Sequence, residues 1–374
     1  MREFYISTNV CFGENALARL EQLENKRVIV VCDDFMVKSG IVERVKKHLS
    51  KCDVYTFSKI VPDPPIEIVT EGINFLDSCR AEIMVAVGGG SSIDAAKAIC
   101  EMSRRTGRID IQQTFAIPTT SGTGSEVTKF SVISNTQEGI KYPLVSDSLL
   151  PTVAILDPDL VKTAPPSITA DTGMDALAHA LEAYVSTEAT DFTDALAEKA
   201  ITLLMKFLPD AYYHGHDLLA REKVHNAACL AGMAFNSAGL GICHSISHTV
   251  GGRFHIPHGR SNAIILPYVI EFNAGLESGD TLMAKKYQRL AKLIGLPHTS
   301  PVVAVNSLIR RLQEMQNMFG LPENLRQAGV EQAEVLRMKD EMIQSILADA
   351  CTTTNPRIPL AADIEKILGK IAPF

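Results

Sequence analysis

The stretch IMVAVGGGSSIDAAK, at residues 83–97, gives the strongest structural signal in this chain of 374 residues. Five apolar residues open it and predict a buried strand, and three glycines then lead into a helical sequence. Glycine lets backbone N–H groups come close to an anion, and the N-terminus of the following helix adds partial positive charge. The stretch therefore predicts a strand, a loop and a helix that together either bind a phosphate or make a tight turn.

Short apolar runs on both sides of this stretch alternate with helical segments. They predict further strands at residues 28–31, 54–57, 114–117 and 153–156. Helical segments follow the first of these strands, as far as about His48, and begin again after Pro65. Strands and helices in alternation favour an α/β fold, with a parallel sheet and helices on both of its faces.

The chain changes character after Pro165 and Pro166. Segments rich in alanine and leucine show the helical period there, at residues 175–184, 193–207, 222–235 and 302–316. Few β-branched runs interrupt them, which indicates an all-helical part. We therefore expect two domains, an α/β domain at residues 1–164 and an α-helical domain at residues 165–374.

The composition excludes several classes of protein. Hydrophobic residues make up 46% and charged residues 21%, which rules out a disordered or fibrous chain. The net charge of −7 argues against nucleic acid or an anionic membrane as the partner. No apolar run reaches the roughly 18 residues that cross a bilayer, and the N-terminus does not resemble a signal peptide. Eight scattered cysteines without a C-x-x-C pair favour a reducing compartment, so we expect a cytoplasmic protein.

A second loop, PTTSGTGSE at residues 118–126, follows another predicted strand. Its five hydroxyls and two glycines can donate to phosphate or ribose oxygens, although such a loop can also cap the next element. The carboxyl ends of neighbouring parallel strands form the crevice in which open α/β sheets bind nucleotides. Two such loops at neighbouring strand ends therefore favour a dinucleotide.

Asp33 lies at the end of the first predicted strand. Its carboxylate can accept hydrogen bonds from the adenosine ribose of NAD and would repel the 2′-phosphate of NADP. The same residue could equally be the N-cap of the following helix. If it binds the ribose, the cofactor is NAD rather than NADP.

Histidines and a carboxylate recur at ligand-like spacing in the helical part. Asp175 and His179 lie four residues apart, as do His244 and His248, and His258 follows shortly afterwards. Residues four apart share one face of a helix, so each pair could supply two ligands. Each histidine alone is more often a packed core or surface residue, but the combination predicts a Lewis-acid site for Fe²⁺ or Zn²⁺. The glutamate of an H-E-x-x-H motif is missing, which argues against a metalloprotease.

Four motifs in order make the chain resemble a known family. They are GGGSSIDAAK at 88–97, PTTSGTGSEVT at 118–128, GMDALAHALE at 173–182 and the pattern H-x3-H-x9-H at 244–258. Together they resemble the iron-containing (group III) alcohol dehydrogenases, from the first strand to the C-terminus. Within that family the chain most resembles the 1-propanol and ethanol dehydrogenases of bacterial microcompartments, so association with such a compartment is a further expectation.

The resemblance implies a dehydroquinate synthase-like fold, with a Rossmann-like dinucleotide-binding domain followed by an α-helical metal-binding domain. It implies NAD(H) and Fe²⁺ as cofactors, with Zn²⁺ as an alternative metal, and a homodimer or larger homo-oligomer. The residue that matches His248 lies close to the reacting centre in the family. The family's metal ligands match Asp175, His179, His244 and His258. Its cofactor contacts match Asp33, Asp63, Gly89, Gly90, Ser91, Thr119, Thr120 and Lys141.

The implied reaction is reversible, since an alcohol and NAD⁺ give an aldehyde, NADH and a proton. We expect a short-chain aldehyde such as propanal or acetaldehyde as the substrate, with His248 relaying the proton between the substrate oxygen and solvent. One alternative is an anionic aldehyde such as sulfoacetaldehyde, which Arg253 and Arg260 could bind unless they are surface charges or salt-bridge partners. More remote alternatives are a non-redox reaction of the dehydroquinate synthase type and a nucleotide-binding scaffold without catalysis. Tyr55 and Lys59 match the Tyr-x3-Lys pair of short-chain reductases, a match that we interpret as chance.

Overall fold

The computed structural model describes residues 3–135, 140–276 and 282–373. The chain forms two compact units. The first comprises Met1–Ala164 and His216–Gly232, and the second comprises Pro165–Gly215 and Met233–Phe374. Residues 216–232 thus belong to the first unit, although their helical pattern groups them with the C-terminal part of the sequence.

The strands that the structure describes all lie in the first unit. They are β1 (Asn9–Phe12), β2 (Arg27–Asp33), β3 (Asp53–Ile60), β4 (Ile83–Gly88), β5 (Gln113–Pro118), β6 (Phe130–Asn135), β7 (Ile140–Val145) and β8 (Val153–Leu156). Six of them form a parallel sheet in the order β1-β8-β5-β4-β2-β3, and β6 and β7 form a separate antiparallel pair. Every strand that the sequence predicts is present, so the α/β fold class is confirmed. Strands β1, β6 and β7 are additional to that set.

Both faces of the parallel sheet are buried under helices. The helices are α1 (Asp34–Lys38), α2 (Ile41–Lys47), α3 (Ile66–Cys79), α4 (Gly90–Arg105) and α5 (Pro158–Val161). Alternate residues of β2 point to opposite faces, since Val28 and Val30 pack in one core cluster and Ile29 and Val31 in another. The first cluster includes residues of α2, and the second includes residues of α3 and α4. This burial explains why the inner strands β2, β4, β5 and β8 contain continuous apolar runs, whereas the edge strand β3 is only partly buried.

The helical segment predicted as far as His48 is in fact two helices, α1 and α2. Gly40 lies between them with a φ of +79° and precedes the first residue of α2. Apolar residues continue on both sides of this break, at Met36 and Ile41, and both are buried. The apolar pattern therefore continues across a change of direction that it does not reveal.

The order in which the chain adds strands to the sheet reverses between β2 and β4. Strand β2 has β3 on one side and β4 on the other, and β4 in turn pairs with β5. In parallel α/β sheets, this change opens a crevice outside the carboxyl ends of the two strands. Asp33 ends β2 and residues 88–90 end β4 and begin α4, so the sheet brings these two predicted parts of the cofactor site to one crevice.

The regular secondary structure in the described residues of the second unit is all helical, which confirms the predicted helical character of this part. Its helices are α6 (Pro166–Val185), α7 (Asp191–Tyr213), the end of α8 (Leu218–Ala238), α9 (Ile242–Phe254), α10 (His258–Ala274), α11 (Leu282–Leu293), α12 (Pro301–Met318), α13 (Gln332–Ala348) and α14 (Ala361–Ile371). Within the described ranges, no single helix is long and apolar enough to cross a membrane. Helices α8 and α9, which are bent by 106° relative to each other, are long and apolar enough only when they are taken together, and only by length and composition.

Candidate metal and cofactor sites

Four side chains from three helices of the second unit converge on one point. Asp175 and His179 lie four residues apart on α6, His244 lies on α9, and His258 is the first residue of α10. One ligand atom from each side chain lies within 4.8 Å of the ligand atoms of the other three. The structure therefore brings all four predicted metal ligands together.

The turn between α9 and α10 places His258 beside His244. Helix α9 ends at Phe254, and His255 then adopts a left-handed conformation with a φ of +54°. Pro257 follows as the residue before α10, with a φ of −51° that its ring favours. Because the connection is this short, the imidazole centroids of His244 and His258 lie 5.3 Å apart.

The distances between the donor atoms suit a single ion. The Nε2 atoms of His244 and His258 lie 3.8 Å and 3.5 Å from Oδ1 of Asp175. A tetrahedral ion with ligands at about 2.1 Å would space those ligands by roughly 3.4 Å. Nδ1 of His179 is buried and has no hydrogen-bond partner among the described residues, which is uncommon for a buried nitrogen in a completed site. One carboxylate and three imidazoles thus fit a divalent metal of borderline softness.

The protonation states of these groups also suit a metal. Burial, together with the nearby His179 and His258, lowers the pKa of His244 well below its ordinary value, so its imidazole is neutral. Burial alone would raise the pKa of Asp175, but the imidazoles and a hydrogen bond from Asn262 outweigh it and lower that pKa. Asp175 is therefore an anion and His244 a neutral base, and these are the forms that bind metals.

Two residues outside the predicted ligand set contact this cluster. Asn262, fully buried on α10, donates from Nδ2 to Oδ1 of Asp175 over 2.7 Å. Glu182 on α6 is also buried, and it pairs with Nδ1 of His244 over 2.5 Å. Burial raises the pKa of Glu182 to about 7. Each lies at helical spacing from a ligand, Glu182 three residues after His179 and Asn262 four after His258, and that spacing could have identified both.

His248 lies one turn after His244 on α9, beside the cluster. Its ring stacks on that of His258 with centroids 5.5 Å apart, and 45% of its side chain is exposed. Nδ1 lies 2.9 Å from Oδ2 of Asp349, whose Oδ1 accepts from the backbone N–H of Cys351. Burial would raise the pKa of Asp349, but the hydrogen bond and charge of His248 outweigh it and lower the pKa to about 2. A carboxylate bound to Nδ1 fixes the ring orientation and leaves Nε2 for other contacts.

In the first unit, Asp33 lies beside the glycine loop. Its Oδ1 accepts from the backbone N–H of Met36 over 3.0 Å, so Asp33 is the N-cap of α1. Its Oδ2 lies 3.6 Å from the position that a Cβ on Gly88 would occupy. Gly88 has a φ of +146°, and a Cβ there would come 2.5 Å from Oγ of Ser92, so this position requires glycine. The capping role thus uses one oxygen of Asp33 and leaves the other against the loop.

The glycine loop and the hydroxyl-rich loop contact each other. The backbone N–H of Thr119 donates to the carbonyl of Gly88 over 3.0 Å. A Cβ on Gly90 would come 2.8 Å from Cγ2 of Thr123, so glycine permits this close approach. Gly89 and Ser91 lie half-buried at the start of α4, where the first backbone N–H groups have no acceptor within the helix. Such a helix start can bind an anion.

The remaining predicted cofactor residues lie after β5, after β3 and within β7. Thr119 and Thr120 directly follow β5, the first buried and the second half-buried. Asp63 is exposed in the loop after β3, with a φ of +50°. The backbone of Lys141 lies in β7 opposite Ser134, but its side chain lies outside the described residues. The structure thus places every predicted cofactor residue except the Lys141 side chain.

Both arginines of the anionic-substrate alternative are paired with carboxylates. Arg260 donates from Nε and Nη2 to the two oxygens of Asp171, over 3.2 Å and 3.0 Å. Arg253 donates from Nη1 to Glu341 over 3.2 Å. These contacts favour the salt-bridge interpretation of both arginines.

Comparisons with known proteins indicate one family over both parts of the chain. The model for the iron-containing alcohol dehydrogenases matches residues 7–158, and the model for the C-terminal part of the Fe-containing alcohol dehydrogenase family matches residues 169–372. The 1-propanol dehydrogenase PduQ of Citrobacter freundii is 46% identical over 99% of this chain and 100% of its own length. The NADPH-dependent butanol dehydrogenase of Clostridium saccharobutylicum is 38% identical over 98% of this chain and 97% of its own. The crystal structure of a 1,3-propanediol oxidoreductase matches with a TM-score of 0.91 and 33% identity, over 99% of this chain and 100% of that one.

Proposed function

This chain belongs to the iron-containing alcohol dehydrogenase family, and we propose that it interconverts a short-chain primary alcohol and its aldehyde with NAD(H) and Fe²⁺. As a member of this family it is an oxidoreductase that acts on alcohols. The proposal rests on the convergence of Asp175, His179, His244 and His258 on one point. When bound, the metal polarises the C–O bond of the substrate, and the nicotinamide gives or takes the hydride.

Three of the four ligands are buried, so a small substrate can approach on the side of the fourth. Asp175, His179 and His244 are buried, whereas 41% of the His258 side chain is exposed. The half-exposed His248 stacks on the same ring. One carboxylate and three neutral imidazoles leave a charge of about +1 on a divalent ion, which favours negative charge on the substrate oxygen.

We assign the proton transfer to His248. Because Asp349 holds Nδ1, Nε2 is the atom that can exchange a proton with the substrate oxygen and with solvent. Replacing His248 with Gln should lower kcat by about 100-fold and leave the metal content unchanged. His255→Asn, which changes an exposed histidine in the following turn, is the control and should keep full activity. Loss of metal from His248→Gln would contradict the assignment.

For the hydride carrier we propose NAD(H), bound at the crevice of the parallel sheet. The charge of Asp33 supports NAD over NADP, since it would repel a 2′-phosphate. For the metal we propose Fe²⁺, with Zn²⁺ as the alternative, because imidazole and carboxylate bind both. The residues that would contact the cofactor are Asp33, Asp63, Gly89, Gly90, Ser91, Thr119, Thr120 and Lys141.

The proposal also covers location and assembly. We expect a cytoplasmic homodimer or larger homo-oligomer that associates with a bacterial microcompartment, and no nucleic-acid or membrane partner. The resemblance to microcompartment dehydrogenases supports this expectation. Light scattering of the purified protein would measure the oligomer, and fractionation of the source cells would show whether the enzyme sediments with a compartment shell.

The decisive experiment is an assay of NADH oxidation by anaerobically prepared, Fe²⁺-loaded protein. Acetaldehyde, propanal and sulfoacetaldehyde are compared at matched concentrations, with Zn²⁺-loaded and metal-free protein alongside. We expect the neutral aldehydes to be the better substrates, because Arg253 and Arg260 are already paired with carboxylates. A clear preference for sulfoacetaldehyde would overturn that substrate choice, and turnover independent of metal would overturn the proposed role of the metal.

A further inference from the structure

Glu182 is a buried glutamate whose carboxylate is surrounded by donors. Its Oε1 accepts from the backbone N–H of Cys243 over 2.6 Å, and its Oε2 lies 2.5 Å from Nδ1 of His244. Only 3% of the residue is exposed. A buried carboxylate is costly unless it is hydrogen-bonded, so these contacts account for its presence in the interior.

Helix α6 places Glu182 on the same face as two of the proposed ligands. Asp175, His179 and Glu182 occupy positions i, i+4 and i+7, which lie on one stripe of a helix. The first two side chains reach the metal position, and the third reaches the imidazole of His244, which comes from α9. One helix thus supplies two ligands and supports a third.

We propose that Glu182 is a positioning residue that fixes the tautomer and orientation of His244, so that Nε2 faces the metal. Oε1 of Glu182 accepts from the backbone N–H of Cys243, and when Glu182 is ionised its Oε2 can only accept from Nδ1 of His244, which then carries the proton. Nε2 is then the unprotonated atom, and it is the one that lies 3.8 Å from Oδ1 of Asp175. Carboxylates that hold a ligating histidine in this way raise metal affinity without touching the metal. The inference rests on the proposed metal-dependent function.

The test is metal affinity, measured by competition of Zn²⁺ between the protein and a chromophoric chelator. In Glu182→Gln the amide can accept through only one oxygen, and its NH₂ group would face a donor, either Cys243 N–H or His244 Nδ1–H. We expect the Kd for Zn²⁺ to rise by about 10- to 100-fold. The visible spectrum of the Co²⁺-loaded variant should shift as well, because the geometry of one ligand changes.

The matched control is Glu101→Gln in the first unit. Glu101 is also a buried glutamate, paired with Arg104 and Arg105, and it makes no contact with the cluster. Its replacement removes a buried charge but should leave the Kd for Zn²⁺ unchanged. An equal loss of affinity in both variants would overturn the inference, because a general loss of stability would then explain the effect.

A second measurement does not depend on the folding of any variant. Long-range ¹H–¹⁵N spectra of the metal-free wild-type protein report which nitrogen of His244 carries the proton, with the signals assigned from a His244→Gln sample. We expect the Nδ1–H tautomer, and the Nε2–H tautomer would overturn the inference. Wild-type protein that binds no Zn²⁺ at all would instead contradict the proposed function, so the two failures are distinguishable.

Discussion

Asp33 combines two roles at one residue, since one carboxylate oxygen caps α1 and the other lies against the glycine loop. Serine at this position would keep an acceptor for the N–H of Met36 but remove the negative charge. We expect Asp33→Ser to raise kcat/KM for NADPH relative to NADH by about tenfold or more, because a like-charge contact with a 2′-phosphate costs several kcal/mol. Steady-state kinetics with both cofactors gives this ratio.

The neighbouring Asp34 provides the control for this change. Asp34 is exposed and pairs with Lys38 one helical turn away, so Asp34→Ser removes the same charge from the surface of the same helix. Its cofactor ratio should stay at the wild-type value. An unchanged ratio in Asp33→Ser as well would mean that the carboxylate does not lie beside the adenosine ribose.

Asp349, which the sequence does not reveal, is encoded less locally than the four predicted metal ligands. Asp175 and His179 lie one helical turn apart, and His244 and His258 belong to one short motif. Their spacing in the sequence is therefore enough to predict them as metal ligands. Asp349 contacts His248 from 101 positions away in the chain. No local pattern connects such a pair, because the contact exists only after α9 and the segment after α13 have packed together.

At the scale of elements, Lys97 joins α4 to the hairpin of β6 and β7. Its Nζ donates to the backbone carbonyls of Thr128 and Phe130, over 2.7 Å and 2.9 Å. Asp94, one turn earlier, accepts from the backbone N–H of Val132 over 3.0 Å. Burial lowers the pKa of Lys97 to about 8, although the charges of Asp94 and Glu126 oppose the shift. The hairpin is thus attached to the helix by buried polar contacts.

Removal of this ammonium group should destabilise the first unit. Lys97→Met leaves the carbonyls of Thr128 and Phe130 without their donor and removes the positive charge near Asp94 and Glu126, which should lower the free energy of unfolding by about 3 kcal/mol. Lys47→Met, at an exposed lysine of the same unit, should change it by no more than about 0.5 kcal/mol. Urea unfolding near pH 7 compares the two variants, and equal midpoints would contradict the structural role of Lys97.

The wild type and Lys97→Met should also differ in how their stability depends on pH, and the sign of that difference is definite. Between about pH 8 and pH 10 the folded chain has lost the Lys97 proton while the unfolded chain, with a lysine pKa of about 10.4, still holds it. The unfolded state binds more protons in this window, so the stability of the wild type should rise with pH relative to Lys97→Met. A constant difference across the window would show that the pKa of Lys97 is not lowered in the folded state.

Elements with their own apolar period are predictable from sequence, and elements defined by a distant partner are less so. The buried strands β2, β4 and β5 are continuous apolar runs, which is why the α/β fold is evident. Strand β1 has only four residues and pairs with β8, about 140 positions later. Whether this segment forms a strand therefore depends on its pairing with β8. At the break between α1 and α2, Gly40 adopts a left-handed conformation that an apolar pattern does not show.

At the scale of the whole molecule, one feature of the chain path could not be predicted. Residues 216–232 belong to the first unit although the chain on both sides of them belongs to the second. Their helical period is the same as that of the neighbouring helices. Such a period predicts that one face of the helix is buried, but not which part of the protein packs against that face. Only the tertiary contacts of this segment determine its unit.

The metal ligands, in contrast, all lie in the second unit, and this distribution predicts how the molecule should respond to metal. An ion that binds only the folded state stabilises it by about 2.7 kcal/mol when its free concentration is 100 times the Kd. For a unit of this size, that corresponds to a rise of roughly 5–10 °C in the Tm of the transition that includes the second unit. Calorimetry of anaerobic protein with and without Fe²⁺ measures the rise. Asp175→Asn removes the only anionic ligand of the cluster and should abolish the response, so an equal rise in the variant would place the ion elsewhere.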